Sequence, residues 1–206
     1  MGSIVLAAPT SGTTTLQPSD NTTQTITLPA NTGTVITTGS TGRVIPSAAM
    51  PTGSIIQVVS TTLNTTTTST SNGTAVVVTG LNSTITPQFS TSKILVQLNM
   101  MYGTAGLVTT YGGYFTRNGT VIGVGAAGSG QQQVSFGLGC TPDSNQVFQS
   151  SYSYLDSPAS TSALTYQVYV INDNNIAIYI NRSANDTGAA VGKRGISTIT
   201  LMEIAG

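Results

Sequence analysis

Apolar and polar positions alternate along this chain over short stretches, and no stretch of eleven or more residues repeats at helical spacing. Between residues 93 and 102, Ile94, Val96, Leu98 and Met100 fall on one side and Gln97 and Asn99 on the other. A period of two marks a strand with one buried face. Leu164, Tyr166, Val168 and Val170 repeat the pattern with an inward face, and Ile176, Ile178 and Ile180 follow as the return strand. Further strands are predicted at 54–61, 75–81, 134–138, 146–155 and 196–204, with Phe148, Tyr152 and Tyr154 on one face of the fourth. Asn118-Gly119, between Tyr114-Phe115-Thr116-Arg117 and Thr120-Val121-Ile122, favours positive φ at both centres of a type I′ hairpin turn. Residues 65–73 and 125–130 read as loops, and Asn172-Asp173-Asn174-Asn175 reads as a turn held by its own short side chains. Eight or nine such strands predict an all-β fold, a jelly-roll-like β-sandwich.

The pattern changes near residue 50. Before it come short strand-like pieces at 4–8, 24–29 and 34–38, broken up by Pro9, Pro18, Pro29 and Pro46. None of these can hide its apolar face in so thin a segment. Residues 1–50 are therefore expected to form an extended β arm or stalk that packs on another chain, and residues 51–206 the sandwich domain.

Composition narrows the function. Charged residues make up 6% of the chain, against roughly 25% in an average soluble protein. Hydrophobic residues make up 38% and mean hydropathy is +0.16, so a core is available. Zero formal net charge gives weak protection against self-association and suits a permanent assembly. Six Lys plus Arg, spread from Arg43 to Arg194, cannot neutralise a run of phosphates, so no nucleic-acid partner is expected. No membrane partner is expected either, because no apolar run approaches the ~18 residues of a spanning helix. The first nine residues lack the basic start and the long apolar run of a secretion signal.

Catalytic chemistry has little to draw on. With no His, neither Ser nor Cys140 has the usual proton acceptor, and a Ser–Lys pair would need Lys93 or Lys193 buried beside a serine. The carboxylates are Asp20, Asp143, Asp156, Asp173, Asp186 and Glu203. The five Asp are expected in turns and Glu203 in the last strand, so a paired-carboxylate glycosidase is disfavoured. Gly188 to Arg194 imitates a phosphate loop, but is one residue short and has Arg194 where a magnesium ligand belongs. Asn172 to Asn175 lacks the spacing of a calcium loop. No catalytic residue, cofactor-binding residue or metal ligand is assigned, and no cofactor is expected. Tyr111, Tyr114, Tyr152, Tyr154, Tyr166, Tyr169 and Tyr179 are read as core or subunit-interface residues rather than a ligand site.

Two stretches resemble a known kind of protein. Leu6-Ala7-Ala8-Pro9, Thr15-Leu16-Gln17-Pro18 and Ile26-Thr27-Leu28-Pro29-Ala30-Asn31-Thr32-Gly33-Thr34-Val35 resemble a short module of tailed-phage virion proteins, frequent in aquatic phages. Thr91 to Val96, Phe115 to Thr120, Leu155-Asp156-Ser157-Pro158, Tyr166 and Tyr169, Tyr179-Ile180-Asn181-Arg182 and Ser197 to Ile204, in that order, resemble the end domain of the same proteins. The resemblance implies a trimeric fibre or capsid-decoration protein: a homotrimer with a β-sandwich end domain. It does not imply a catalytic residue. An arm of 50 residues and a single domain suit a decoration or cement protein that clamps neighbouring copies of a major capsid protein. The alternative is the receptor-binding tip of a tail fibre, attached to tail proteins and recognising a host surface glycan through loops such as 125–133 and 181–192. Either way the expected location is the virion, after assembly in the host cytoplasm.

Overall fold

The structure is a computed structural model that describes residues 50–206, apart from 71, 105–110, 174 and 189. The expected arm and its three strand-like pieces lie outside the described residues. So does Asp20.

Eleven strands account for the described chain: β1 (Ile55–Leu63), β2 (Thr67–Thr70), β3 (Val76–Ile85), β4 (Lys93–Thr104), β5 (Tyr111–Arg117), β6 (Thr120–Ile122), β7 (Phe136–Leu138), β8 (Phe148–Asp156), β9 (Leu164–Asn172), β10 (Ala177–Ile180) and β11 (Ser197–Ile204). They form two antiparallel sheets. In the first, β1 pairs with β11, β11 with β4 and β4 with β8, while β10 continues the line of β11 along β4 and carries β2. In the second, β3 pairs with β9 and β9 with β5, and β6 and β7 lie end to end along the other edge of β5.

The pairing is nested. β1 meets β11, β3 meets β9, β4 meets β8, and β5 meets β6 and β7, so the chain runs as one long hairpin ribbon with its tip at Asn118-Gly119. Successive pairs lie in opposite sheets, which is the jelly-roll arrangement of an eight-strand sandwich. At the tip both φ angles are positive, 48° at Asn118 and 83° at Gly119, as the type I′ turn requires.

Inward positions fall where the alternation places them. Ile94, Val96, Leu98 and Met100 of β4 meet Tyr166, Val168 and Val170 of β9 in one core, with Phe115, Ile178, Ile199 and Leu201. Each such side chain contributes roughly 1.5–3 kcal/mol of burial. The tyrosines follow the core reading: Tyr102, Tyr111 and Tyr166 are buried, and Tyr152 and Tyr154 pack against the core from β8.

Three expectations need correction. The polar stretch 65–73 contains a strand, β2. Its threonines show no apolar alternation, yet β-branched residues pair readily, and Ser69 alone turns in to burial. Ile176 to Ile180 does not return beside β9. The turn closes as expected, with Asn172 Nδ2 donating to the Ile176 carbonyl at 2.7 Å, but it passes the chain to the opposite sheet, where β10 pairs with β4 and β2. Asp156 is not a turn residue. It is the last residue of β8 and is buried.

Candidate interaction surfaces

The sandwich has two unlike ends. At one, the turn end, sit the hairpin tip and the outer ends of β1 and β11, where Gly53 donates its N–H to the Ala205 carbonyl at 2.8 Å and Ala205 donates back to Ser54 at 2.9 Å. The described chain therefore begins and finishes at this end. The opposite, loop end carries the connections around 139–147 and 173–176 and the long insertion between β10 and β11.

Two buried carboxylates stand at the turn end. Asp156 and Glu203 both pair with Ile94, one from β8 and one from β11, so they flank that residue at roughly 10 Å between backbones. Asp156 reaches across to the second sheet: Arg117 Nη1 donates to its two oxygens at 2.8 and 2.7 Å, and Tyr166 Oη donates at 2.7 Å. Burial, then the bond to this carboxylate, pushes the Tyr166 phenol far above its ordinary range. Its own hydrogen bonds to Asp156 raise the Arg117 guanidinium. Glu203 accepts from Gln57 Nε2 at 2.6 Å and from the backbone N–H of Gln88 at 2.7 Å, which pins the loop between β3 and β4. Each carboxylate is committed to protein donors, and neither lines the two grooves described below. Their chemistry is that of inter-strand clamps.

At the loop end, Asn181 is fully buried at a φ of 61°. Its amide donates to the carbonyls of Leu63 and Thr65, where β1 gives way to β2, and its oxygen accepts from Ser197 at the start of β11. The insertion that leaves here is closed by bonds between Ser183 and Lys193 and rests on Ser144 and Asn145 through Asn185. Arg194 pairs with Asp186 at 2.7 Å and holds its carboxyl below the usual range. Arg182 lies over the Tyr179 ring at 4.2 Å. The phosphate-loop imitation thus has its arginine engaged, and Lys193 Nζ caps the Ala190 carbonyl at 2.9 Å.

The two loops with receptor potential take different neighbours. Gly125 to Gln133 folds towards the loop end, where Gln132 donates to Asp173 at 2.7 Å. A groove of about 560 Å³ lies there, lined by Gly130, Gln131, Gln132, Tyr111, Ile171 and Asp173 among others. The 181–192 loop packs instead on residues 144 and 145.

Sequence reasoning missed the outer face of the first sheet. Val58 pairs with Met202, Met202 with Leu95 and Leu95 with Leu155, so four apolar side chains cross the sheet in one outward row from the β1 edge to the β8 edge. Val58 is 54% exposed and Leu155 46%, at the two ends of the row. Next along the strands come two uncharged polar rows, Ser60–Thr200–Gln97–Ser153 and Thr62–Thr198–Asn99–Ser151. Beyond them is a second apolar area, a groove of about 500 Å³ lined in part by Met101, Val147, Phe148 and Ile196. Lys93 is the one charged side chain that these four strands turn outward; Asp156 and Glu203 point in. Sequence carries a signal for the row: Val58-Val59, Ile94-Leu95-Val96, Tyr154-Leu155 and Leu201-Met202 break the alternation by being apolar on both faces.

No family model matches the chain, and no curated protein matches it. Among solved structures it is similar to chains of infectious bursal disease virus. One is the Gt strain, at 9% identity and a TM-score of 0.39, covering 72% of this chain and 38% of that one. Another is the D431N mutant VP2 protein in T=1 particles, at 12% identity and a TM-score of 0.39, covering 72% of this chain and 36% of that one. This chain therefore spans well under half the length of the structures it matches. The all-β sandwich class rests on the strand pairing above.

Proposed function

We propose that this is a non-enzymatic structural protein of a virion, a homotrimer that decorates a phage capsid and clamps neighbouring copies of the major capsid protein through residues 1–50. The observation that carries the reading is the outer face of the first sheet: four strands wide, with a continuous apolar row and a single charge. Such a face gains by being covered with protein and offers no reactive group. The ionisable side chains that are buried serve as clamps between strands, and the phage resemblance of the sequence supplies the kind of assembly.

Counting copies per particle tests this, by quantitative mass spectrometry of purified virions against the major capsid protein. Hundreds of copies are expected of a capsid-wide decoration, and absence from the particle sinks the reading. A dozen or so favours the second reading, a receptor-binding tip on tail proteins. The groove at the loop end favours that one: it sits away from the end where the described chain begins, and the exposed amides of Gln131 and Gln132 suit the hydroxyls of a host surface glycan.

A further inference from the structure

We propose that the outer face of the first sheet is the trimer interface, and that copies join head to tail, the Val58 end of the apolar row on one copy meeting the Leu155 end of the next. The inference rests on the trimeric reading above and adds which surface makes the trimer and with what handedness of contact.

The row starts at one edge strand, β1, and finishes at the other, β8, and its two most exposed members stand at those edges. A contact between unlike ends is heterologous, and a heterologous contact makes a ring when its rotation closes, at three copies for a third of a turn each. Matching the apolar row end to end also matches the two polar rows beside it, Ser60 towards Ser153 and Thr62 towards Ser151, so neutral hydroxyls meet neutral hydroxyls. With Lys93 the sole outward charge on the four strands, copies approach without stripping water from ions. The ring also brings like rows together at one level around the axis, where Val58, Met202, Leu95 and Leu155 of three copies cover one another.

Area favours a ring over a face-to-face pair. Four strands at ~4.8 Å spacing and about eight residues at ~3.3 Å rise give a face of roughly 500 Å². Pairing two such faces buries about 1,000 Å² in total, the lower limit for a specific interface. In a ring every copy makes two contacts and adds the flanks of β1 and β8 to its face. The second sheet offers a shorter outward row, Val77–Tyr169–Tyr114, which crosses three strands with its two rings stacked on each other at 5.5 Å and each member half-buried; Val121 on β6 stands exposed apart from it.

Sedimentation velocity of the full chain at micromolar concentration tests the proposal, with V58K, L155E, the double variant V58K/L155E, and V121K as the control, each checked for unchanged far-ultraviolet circular dichroism. Wild type and V121K are expected as trimers. Each single variant at the row is expected to weaken assembly by about tenfold or more, because it puts an unpaired charge into the contact. The double variant is expected to recover the trimer, since head-to-tail contact sets the new lysine of one copy against the new glutamate of the next. If a charged variant fails to fold, V58S and L155S serve in its place and are expected to weaken the trimer without recovery in combination. A monomeric wild type overturns the trimeric reading itself. A wild-type trimer indifferent to V58K and L155E leaves that reading standing and overturns this face. Dissociation by the single variants with no recovery in V58K/L155E overturns the head-to-tail arrangement.

Discussion

Ser197 Oγ donates to Asn181 Oδ1 at 2.6 Å, and both residues are buried where two strand lines break at once. The bond joins the foot of the β10–β11 insertion to its own return. From the other side Ser197 Oγ accepts the Met101 N–H at 3.0 Å, which ties the pair to β4. Asn181 then reaches Leu63 and Thr65 and closes the gap between β1 and β2. One amide side chain thus satisfies two backbone carbonyls at the β1–β2 break and holds the β10–β11 break through the Ser197 hydroxyl, which lets the strand line bend there without leaving the Leu63 carbonyl unpaired.

N181A is expected to cost about 3 kcal/mol or more, since it orphans the buried Leu63 carbonyl and the part-buried Thr65 carbonyl and puts Ala at a positive φ that Asn tolerates better. N181G relieves the backbone but not the lost hydrogen bonds, and is expected to be about 1 kcal/mol less damaging than N181A. Urea unfolding of the two variants decides. Equal loss in both removes the backbone part of the argument, and a loss below about 1 kcal/mol in N181A removes the whole.

Asp156 joins the sheets through Arg117 and Tyr166, so its substitutions should rank by what each leaves behind. D156N keeps an acceptor for the tyrosine but leaves the Arg117 charge partly buried and unpaired. With that guanidinium a quarter exposed, about 2 kcal/mol is expected rather than the full cost of a broken buried pair. Y166F removes one bond to a charged acceptor and is expected to cost about 1.5–3 kcal/mol. In the double variant the two losses should not add, because they share Asp156. Strict additivity in thermal or urea unfolding contradicts the shared clamp.

Much of this was legible in sequence, for a physical reason. β4 and β9 face the core on one side and water on the other, so their alternation shows directly, and Asn118-Gly119 announces its turn by backbone preference. Strand β2 was hidden because Thr67 to Thr70 has no apolar face to alternate. The crossing at Asn172 to Ile176 was hidden because a short turn looks the same whether the next strand lies beside the last or in the opposite sheet. Asp156 looked like a turn residue because a short acidic side chain is expected in turns, and its partners Arg117 and Tyr166 are 39 and 10 residues away. The apolar row needed register: only pairing brings Val58, Met202, Leu95 and Leu155 together.

Glu203 is a fully buried carboxylate with no cation paired to it among the described residues; Gln57 and the Gln88 N–H hold it instead. E203A removes these bonds together with a longer one from the Phe89 N–H at 3.4 Å, leaves a cavity, and is expected to cost about 2–4 kcal/mol. E203Q keeps an acceptor for Gln88 but turns its own amide towards Gln57 Nε2, which also donates to the Thr86 carbonyl at 2.8 Å. About 1–2 kcal/mol is expected there. Amide hydrogen exchange at Gln88 provides the local check: it should quicken in E203A more than in E203Q. Unchanged protection in both contradicts the pinning of the β3–β4 loop.

Stability should be nearly independent of pH from about 5 to 9, since the chain has no histidine, and should fall on the alkaline side. Burial raises the phenols of Tyr166, Tyr102 and Tyr114 above their ordinary value of 10.0 in the folded protein. A raised pKa means the folded state keeps protons that the unfolded state gives up. The stabilisation is therefore complete below about pH 10 and is lost as pH climbs towards the folded values, at about 1.4 kcal/mol per pH unit for each proton retained. On the acid side Asp186 has the opposite sign: held low by Arg194, it stabilises above its ordinary 3.8 and loses that as pH falls. Its partner Arg194 is two-thirds exposed, so the acid effect should be small and salt-sensitive. Urea midpoints at pH 5, 7, 9 and 10.5 test the profile, and Y166F should flatten its alkaline limb because that variant has no phenol left to titrate at the clamp. A midpoint that rises between pH 9 and 10.5, or an alkaline limb as steep in Y166F as in the wild type, contradicts the assignment.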